Sequence, residues 1–271
     1  MRIGSRGSRL ALTQAEQAAA ALRRPGVEIA FVPITTAGDR DRTKPFGEIG
    51  ARGVFVKELE EALLAGRIDV AVHSAKDMTS TDAEGLAVGA YLTRDDPRDA
   101  LVGASEIRPG MRIGTASARR RALLLAHEPT LSIEPMRGNI DTRLRKMQER
   151  GLDAIVLAAC GLDRLGLSGE IGLRFEPDVM LPEAAQGALA LQVRSSEEDL
   201  VARVDDAETR RRAEAERLCV ATFGAGCLAP VAAFHDGQTL HALIADDNGA
   251  WVERRSGDDP VAIAQELLAF K

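Results

Sequence analysis

Through its first two thirds the chain alternates short β-branched runs with segments of helical period, which narrows the possible folds to parallel sheets with crossover helices. Arg2 to Ser5 reads as a strand and Arg9 to Arg23 as an Ala-rich helix that Ser8 is placed to cap. Val27 to Thr35 is a second strand. In Phe55 to Leu64 the apolar residues Phe55, Leu59, Ala62 and Leu63 recur on one helical face, Gly66 ends the helix, and the strand Ile68 to His73 runs straight into Ser74-Ala75-Lys76-Asp77. The pattern resumes after the Asp95-Asp96-Pro97 turn with a strand from Arg112 to Gly114 and a helix from Ser117 to Ala126. A strand from Leu131 to Pro135 leads through Arg137-Gly138-Asn139 into the helix Ile140 to Arg150, whose stripe is Ile140, Leu144 and Met147. Ala154 to Ala158 is a strand and Cys160 to Leu165 a short helix. Beyond Val193 the character changes to a long charged helix, Asp205 to Thr222, and a Gly-rich loop holding Cys227. Strands near Pro230 to Phe234, Thr239 to Ile244 and Ala250 to Glu253 follow, joined at the hairpin dipeptides Asp236-Gly237 and Asn248-Gly249, and the helix Pro260 to Phe270 comes last.

A chain of 271 residues, 45% apolar and 28% charged, has enough material for two or three domains without metal or disulfide staples. The cysteines Cys160, Cys219 and Cys227 are odd in number and widely spread, and the four histidines lack ligand spacing, so neither a disulfide framework nor a metal site is expected. Cys160 and Cys219 have apolar helical neighbours and read as core. With no run of 18 apolar residues and no apolar stretch near Met1, the expectation is a soluble, cytoplasmic protein without membrane contact.

Net charge is −6, which argues against a nucleic-acid or anionic-membrane binder. Aromatic residues, at 3%, are too few for base-stacking platforms, and no dinucleotide or P-loop fingerprint occurs. Charge distribution says more. Met111 to Arg150 holds nine basic residues against four acidic ones, and most basic residues in the chain are Arg, whose planar fork pairs two-pronged with carboxylates. In open α/β sheets, ligands bind beyond the carboxyl ends of strands. Arg6, Gly7 and Ser8, then His73 to Asp77, then Thr115, Ser117, Arg119 and Arg120, then Arg137, Asn139, Thr142 and Arg143, and finally Arg164 all follow expected strands. This placement points to a ligand carrying several carboxylates or phosphates. Asp77 beside Lys76 suits stabilisation of a cationic intermediate, with helix capping as the other reading of that carboxylate.

The segments IGSRGSRLALTQA (3–15), FVKELEEALL (55–64), DVAVHSAKD (69–77), DDPRDAL (95–101), IGTASARR (113–120), MRGNIDTRL (136–144), LPEAAQGALALQ (181–192) and AERLCVATFGAGCLAP (215–230) resemble the porphobilinogen deaminase (hydroxymethylbilane synthase) family along essentially the whole chain. The resemblance implies an α/β fold with two periplasmic-binding-protein-like lobes around a cleft and a smaller C-terminal α+β domain with an antiparallel sheet. The implied domains are residues 1–92 with 188–203, 93–187, and 204–271. It implies a monomeric transferase that deaminates four porphobilinogen molecules and joins them head to tail into hydroxymethylbilane, on a dipyrromethane primer bound by a thioether to Cys227. Asp77 would stabilise the azafulvenium formed as ammonia leaves. Lys76, Ser74, Thr115, Ser117, Arg119, Arg120, Arg143, Arg6 and Ser8 match cofactor-binding positions. Arg6, Arg137, Arg143, Arg164 and Gln186 match positions that bind porphobilinogen and the growing polypyrrole chain.

Departures fall inside these motifs: Met78-Thr79 where Pro is common after the Asp, Ala116 and Ala118, Arg52 for Lys, Asp141 and Ala185 for Gly, and Leu228 after the cysteine. A binding protein for a small polycarboxylate is the alternative from another class, and Cys227 counts against it. An Arg-rich RNA binder is a second, opposed by the acidic total and scarce aromatics.

Overall fold

The computed structural model describes residues 1–36, 56–79, 82–224 and 230–270. These form two compact units, Met1–Asp95 with Ala188–Ala213, and Asp96–Gly187 with Glu214–Lys271.

The first unit is built on β1 (Arg2–Arg6), β2 (Ala30–Ile34), β3 (Val70–Ser74), β4 (Leu86–Tyr91) and β10 (Leu189–Arg194), in the order β2-β1-β3-β10-β4. β1 runs parallel to β2 and β3, whereas β10 returns antiparallel between β3 and β4. The helix α1 (Arg9–Leu22) begins at Ser8, whose hydroxyl accepts from the Ala11 amide at 3.3 Å. Its buried residues Ala15, Ala18, Ala19 and Leu22 keep helical spacing and pack on Ile3, Val70, Val72, Leu191 and Val193. Leu59, Ala62 and Leu63 of α2 (Lys57–Leu64) pack instead with Ile68, Ala71 and Leu86. Alternate residues of β3 thus feed opposite cores, as a strand covered on both faces requires.

The second unit repeats the plan. β5 (Asp99–Val102), β6 (Arg112–Thr115), β7 (Ser132–Pro135), β8 (Ala154–Ala158) and β9 (Ile171–Arg174) lie in the order β7-β6-β8-β5-β9, with β5 antiparallel to both neighbours. The helices α3 (Ala118–His127), α4 (Ile140–Glu149) and α5 (Ala159–Arg164) follow β6, β7 and β8. Gly4 in β1 and Gly114 in β6 hold matching places: a Cβ on Gly4 would stand 2.4 Å from Ile68 Cδ1, and one on Gly114 would stand 2.9 Å from Ile155 Cγ2. On these interior strands glycine lets the neighbouring side chains pack this closely, and a Cβ would force them to shift.

The same unit contains the end of α6 (Ala207–Thr222), the antiparallel sheet β11 (Val231–His235), β12 (Leu240–Ala245) and β13 (Val252–Gly257), and α7 (Pro260–Phe270). One face of this sheet, through Ala232, Phe234, Leu243 and Ala245, joins the core of Ile113, Leu123, Leu124 and Val156. Its other face, through Val231, Ala233, Leu240, Ala242 and Ile244, packs on Cys219, Val220, Phe223, Ile263 and Leu267. The segment that the sequence sets apart as a third domain therefore shares a hydrophobic core with the second lobe.

Two α/β lobes and a C-terminal antiparallel sheet agree with the expected class, and the hairpin pairings β11-β12 and β12-β13 agree with the turn dipeptides. The strands β4, β5, β9 and β10 were not expected, and β2 starts three residues later than Val27. Cys160 and Cys219 are buried and form no disulfide among the described residues, and their burial agrees with their apolar neighbours. Among the described residues no helix is long and apolar enough to cross a membrane.

Candidate functional site

In the first unit, β1 and β3 are adjacent and parallel, so Arg6 and the segment Ser74 to Asp77 leave the sheet at one edge. The chain turns immediately after β3 into a single 3-10 turn, Ala75–Asp77, whose Ala75 amide donates to the Ala188 carbonyl at 3.1 Å. That bond pins the turn to the entry of β10. Ala75 and Met78 are buried while Ser74, Lys76 and Asp77 are half-buried. Apolar residues anchor the turn and polar ones are left at its surface.

In the second unit the parallel trio β7-β6-β8 sends three strand ends to one edge. The hydroxyls there serve the backbone: Thr115 Oγ1 accepts from the Ser117 amide at 3.2 Å, and Ser117 Oγ accepts from the Arg120 amide at 3.4 Å, capping α3. Asn139 Oδ1 caps α4 by accepting from the Thr142 amide at 2.9 Å. Arg143 Nε donates to the Gly138 carbonyl at 2.7 Å, Lys146 Nζ to the Arg137 carbonyl at 3.1 Å, and Arg164 Nη2 to the Gly187 carbonyl at 2.7 Å. Asp141 lies exposed in the first turn of α4, where a carboxylate suits the positive end of the helix dipole.

The first turn of α3 carries Arg119 and Arg120 inward, with side chains only 3% and 6% exposed. Both meet Asp99, the wholly buried first residue of β5. Arg119 Nη1 donates to Asp99 Oδ2 at 2.7 Å and to the Leu181 carbonyl at 2.6 Å. Arg120 donates from Nε at 3.1 Å and Nη2 at 2.7 Å to Asp99 Oδ1, and from Nη1 to the Val156 carbonyl at 3.1 Å. Gln186 closes the cluster: its Nε2 donates to Asp99 Oδ1 at 2.8 Å and to the Pro97 carbonyl at 2.7 Å. Burial by itself raises a carboxyl pKa, but the two guanidinium charges and their hydrogen bonds outweigh it, and Asp99 is held well below the usual carboxylate range.

The two arginines are used unequally. Arg120 spends its Nε–Nη2 edge on Asp99, whereas Arg119 touches its protein partners through Nη1 alone. Nε and Nη2 of Arg119 are buried and have no hydrogen-bond partner among the described residues. Unpartnered buried donors are costly, at about 1–3 kcal/mol each and more when charged. That edge of a guanidinium is the two-donor fork that fits a carboxylate.

Gln186, expected to bind substrate, is wholly buried and belongs to this supporting cluster. It follows Ala185, the one non-glycine residue with positive φ (59°) among the described residues. The Gln186 amide donates to the Glu183 carbonyl at 2.9 Å, so Ala185 takes the third position of a turn that ordinarily calls for Gly. Glu216 on α6 supports the strained residue. Its buried carboxylate accepts from the Ala185 amide at 2.6 Å and from the His235 amide at 2.8 Å. Neither Asp99 nor Glu216 was singled out from sequence. The only available signal for Glu216 is its place in the buried stripe Thr209, Ala213, Glu216 and Val220 of an otherwise charged helix. Cys227, Arg52 and Leu228 lie outside the described residues.

A buried guanidinium edge without a partner among the described residues, on the helix that follows a parallel strand end, gives the protein the means to bind a carboxylate-bearing ligand. The family model described as porphobilinogen deaminase, dipyromethane cofactor binding domain, matches residues 1–202, and the chain belongs to the porphobilinogen deaminase family. The porphobilinogen deaminase of Roseiflexus sp. is 44% identical over 98% of this chain and 95% of its own length. Those of Syntrophotalea carbinolica and Geobacillus kaustophilus are 43% and 41% identical over 98% and 99% of this chain, and 89% and 92% of their own. Among solved structures, a periplasmic substrate-binding protein of an ABC transporter from Coxiella burnetii overlaps 78% of this chain and 94% of its own at 16% identity, with a TM-score of 0.45.

Proposed function

We propose that this chain converts four porphobilinogen molecules and one water into hydroxymethylbilane and four ammonia molecules. Membership of the family supports the reading, and the observation in the structure that carries it is the buried, unpartnered Nε–Nη2 edge of Arg119. A dipyrromethane bears carboxylates, and a carboxylate is the partner that edge fits, so the residues present suit the group. When bound, the dipyrromethane supplies the primer to which pyrrole units are added.

The protein's share of the chemistry is binding, charge stabilisation and proton handling. Each porphobilinogen carries an acetate and a propionate, so the ligand gains two negative charges with every ring. Arg6 and Lys76 in the first unit, and Arg119, Arg137, Arg143 and Arg164 in the second, are the cations proposed to receive them. Loss of ammonia from the aminomethyl carbon leaves an azafulvenium whose positive charge spreads onto the pyrrole nitrogen. The Asp77 carboxylate is proposed to accept that N–H and oppose the charge, a preorganised electrostatic role that lowers the barrier to deamination. It keeps the same role when the charge passes to the ring that attacks, until that ring loses its α-proton. Asp77 leads directly from β3 and is fixed through the Ala75–Ala188 bond, which gives such a group the rigidity it needs. Cys227 is proposed as the attachment point, and the working protein as a cytoplasmic monomer.

Intact-mass spectrometry tests this. Wild-type protein supplied with porphobilinogen should gain the mass of two pyrrole units, and Cys227→Ser should not. Wild-type protein that stays unmodified refutes the reading and favours a carboxylate-binding protein.

A further inference from the structure

Two guanidinium groups sit side by side in the core with one carboxylate between them, and the way that carboxylate is shared decides what the pair can do. Asp99 Oδ1 takes Arg120 Nε, Arg120 Nη2 and Gln186 Nε2, while Oδ2 takes Arg119 Nη1. The Leu181 carbonyl takes Arg119 Nη1 as well, at 2.6 Å. With Nη1 held at two points, rotation about the end of the Arg119 side chain is blocked, and its Nε–Nη2 edge is fixed in direction. Arg120 is held equally firmly, but by its own edge, and so has no such fork left to offer. Asp99 is the carboxylate that both cations share, and Glu183 adds a further electrostatic attraction to Arg120.

We propose that Asp99 is a positioning residue for cofactor binding: through Arg120 and Gln186 it is anchored to the core, and through Arg119 Nη1 it aims the Nε–Nη2 edge at one carboxylate of the dipyrromethane. This rests on the function proposed above. It assigns Arg119 the ligand-facing part of the pair, Arg120 and Gln186 the anchoring part, and Asp99 the link between them. A lone Arg119 without Asp99 would still carry its charge but would sample several side-chain orientations beside a like-charged neighbour, losing both attraction and aim.

The experiment follows cofactor assembly from porphobilinogen in apoprotein by intact mass, with thermal midpoints recorded in parallel. Wild type, Asp99→Asn, Arg119→Ala and the double variant are compared. Asp99→Asn should fold and raise the porphobilinogen concentration for half-maximal assembly at least tenfold. In the Arg119→Ala background the same change should add less than twofold, because the residue through which it acts is gone. A merely structural role would give the same factor in both backgrounds, and that result overturns the proposal, as does wild-type assembly in Asp99→Asn. If Asp99→Asn does not fold, Asp99→Glu carries the same two comparisons. Failure of both to fold makes the carboxylate a folding determinant and also overturns the proposal. Wild-type protein that gains no mass refutes the proposed function itself, a result distinct from all of these.

Discussion

Replacing Glu216 by Gln changes one oxygen to a nitrogen at nearly constant volume, yet it should destabilise the second unit substantially. The carboxylate accepts two buried amides, Ala185 N–H on one oxygen at 2.6 Å and His235 N–H on the other at 2.8 Å. A glutamine has one carbonyl oxygen, so its NH2 must face one of these N–H groups and leave it without an acceptor. An unsatisfied buried donor costs about 1–3 kcal/mol, and the donor-to-donor contact places the loss in the upper half of that range, about 2–3 kcal/mol. Glu216→Ala orphans both amides and should cost about 4 kcal/mol, a large fraction of the ~5–15 kcal/mol by which domains are stable. Urea unfolding monitored by tryptophan fluorescence suits the measurement, since Trp251 packs against the core that Cys219 and Phe223 share with the C-terminal sheet. Amide hydrogen exchange by mass spectrometry supplies the local readout: peptides containing Ala185 and His235 should lose protection. A Gln variant within 0.5 kcal/mol of wild type, with those amides still protected, would refute the reasoning.

Thiol chemistry offers a second check. Burial, reinforced by the charge of Glu216, pushes the Cys219 thiol up to about 12, so folded protein should resist iodoacetamide at that residue at pH 8, and rapid alkylation there would contradict the packing. A thiol with a raised folded pKa keeps its contribution below the ordinary thiol range and loses it as pH rises toward the folded value, so Cys219→Ala should flatten the alkaline limb of stability between about pH 9 and 12. Gly114→Ala should cost about 1–3 kcal/mol through overpacking, because its Cβ would stand 2.9 Å from both Ile155 Cγ2 and Met136 Cε. Unchanged urea midpoints would show that the packing around β6 has room for a methyl group.

Legibility from sequence followed physical signal strength. β3 (VAVHS) and β8 (AIVLA) are apolar runs, and the helices after β1, β6 and β7 carry Ser8, Ser117 and Asn139 at their caps, so at these places pattern and punctuation agree. β4 (LAVGAY) and β10 (LALQVR) are rich in Ala and Leu, which suit a helix equally well, and β10 becomes a strand only because β3 and β4 flank it. β5 and β9 are four residues each and lack a period long enough to read. The strand-end rule located the polar residues of both units, because parallel pairing forces those ends to one edge of each sheet.

What sequence reading did not supply is the allocation of donors. Nine basic residues against four acidic between Met111 and Arg150 suggest a strong local field. The structure shows much of that surplus engaged by partners at a distance along the chain: Arg119 and Arg120 meet Asp99, Arg121 Nη2 donates to Asn248 Oδ1 at 2.9 Å, and Arg150 Nη1 reaches the Pro135 carbonyl at 3.2 Å. Asp99 reads in sequence as part of a turn-rich acidic run, and only the insertion of β5 beside β8 carries it beneath α3. A guanidinium has five N–H donors but one charge, so counting arginines measures the charge near a strand end and says nothing of which edges remain for a ligand. On that reasoning the strength of the site is set by one fork held in one direction, and a variant that keeps every arginine but loses Asp99 is the sharper probe of it.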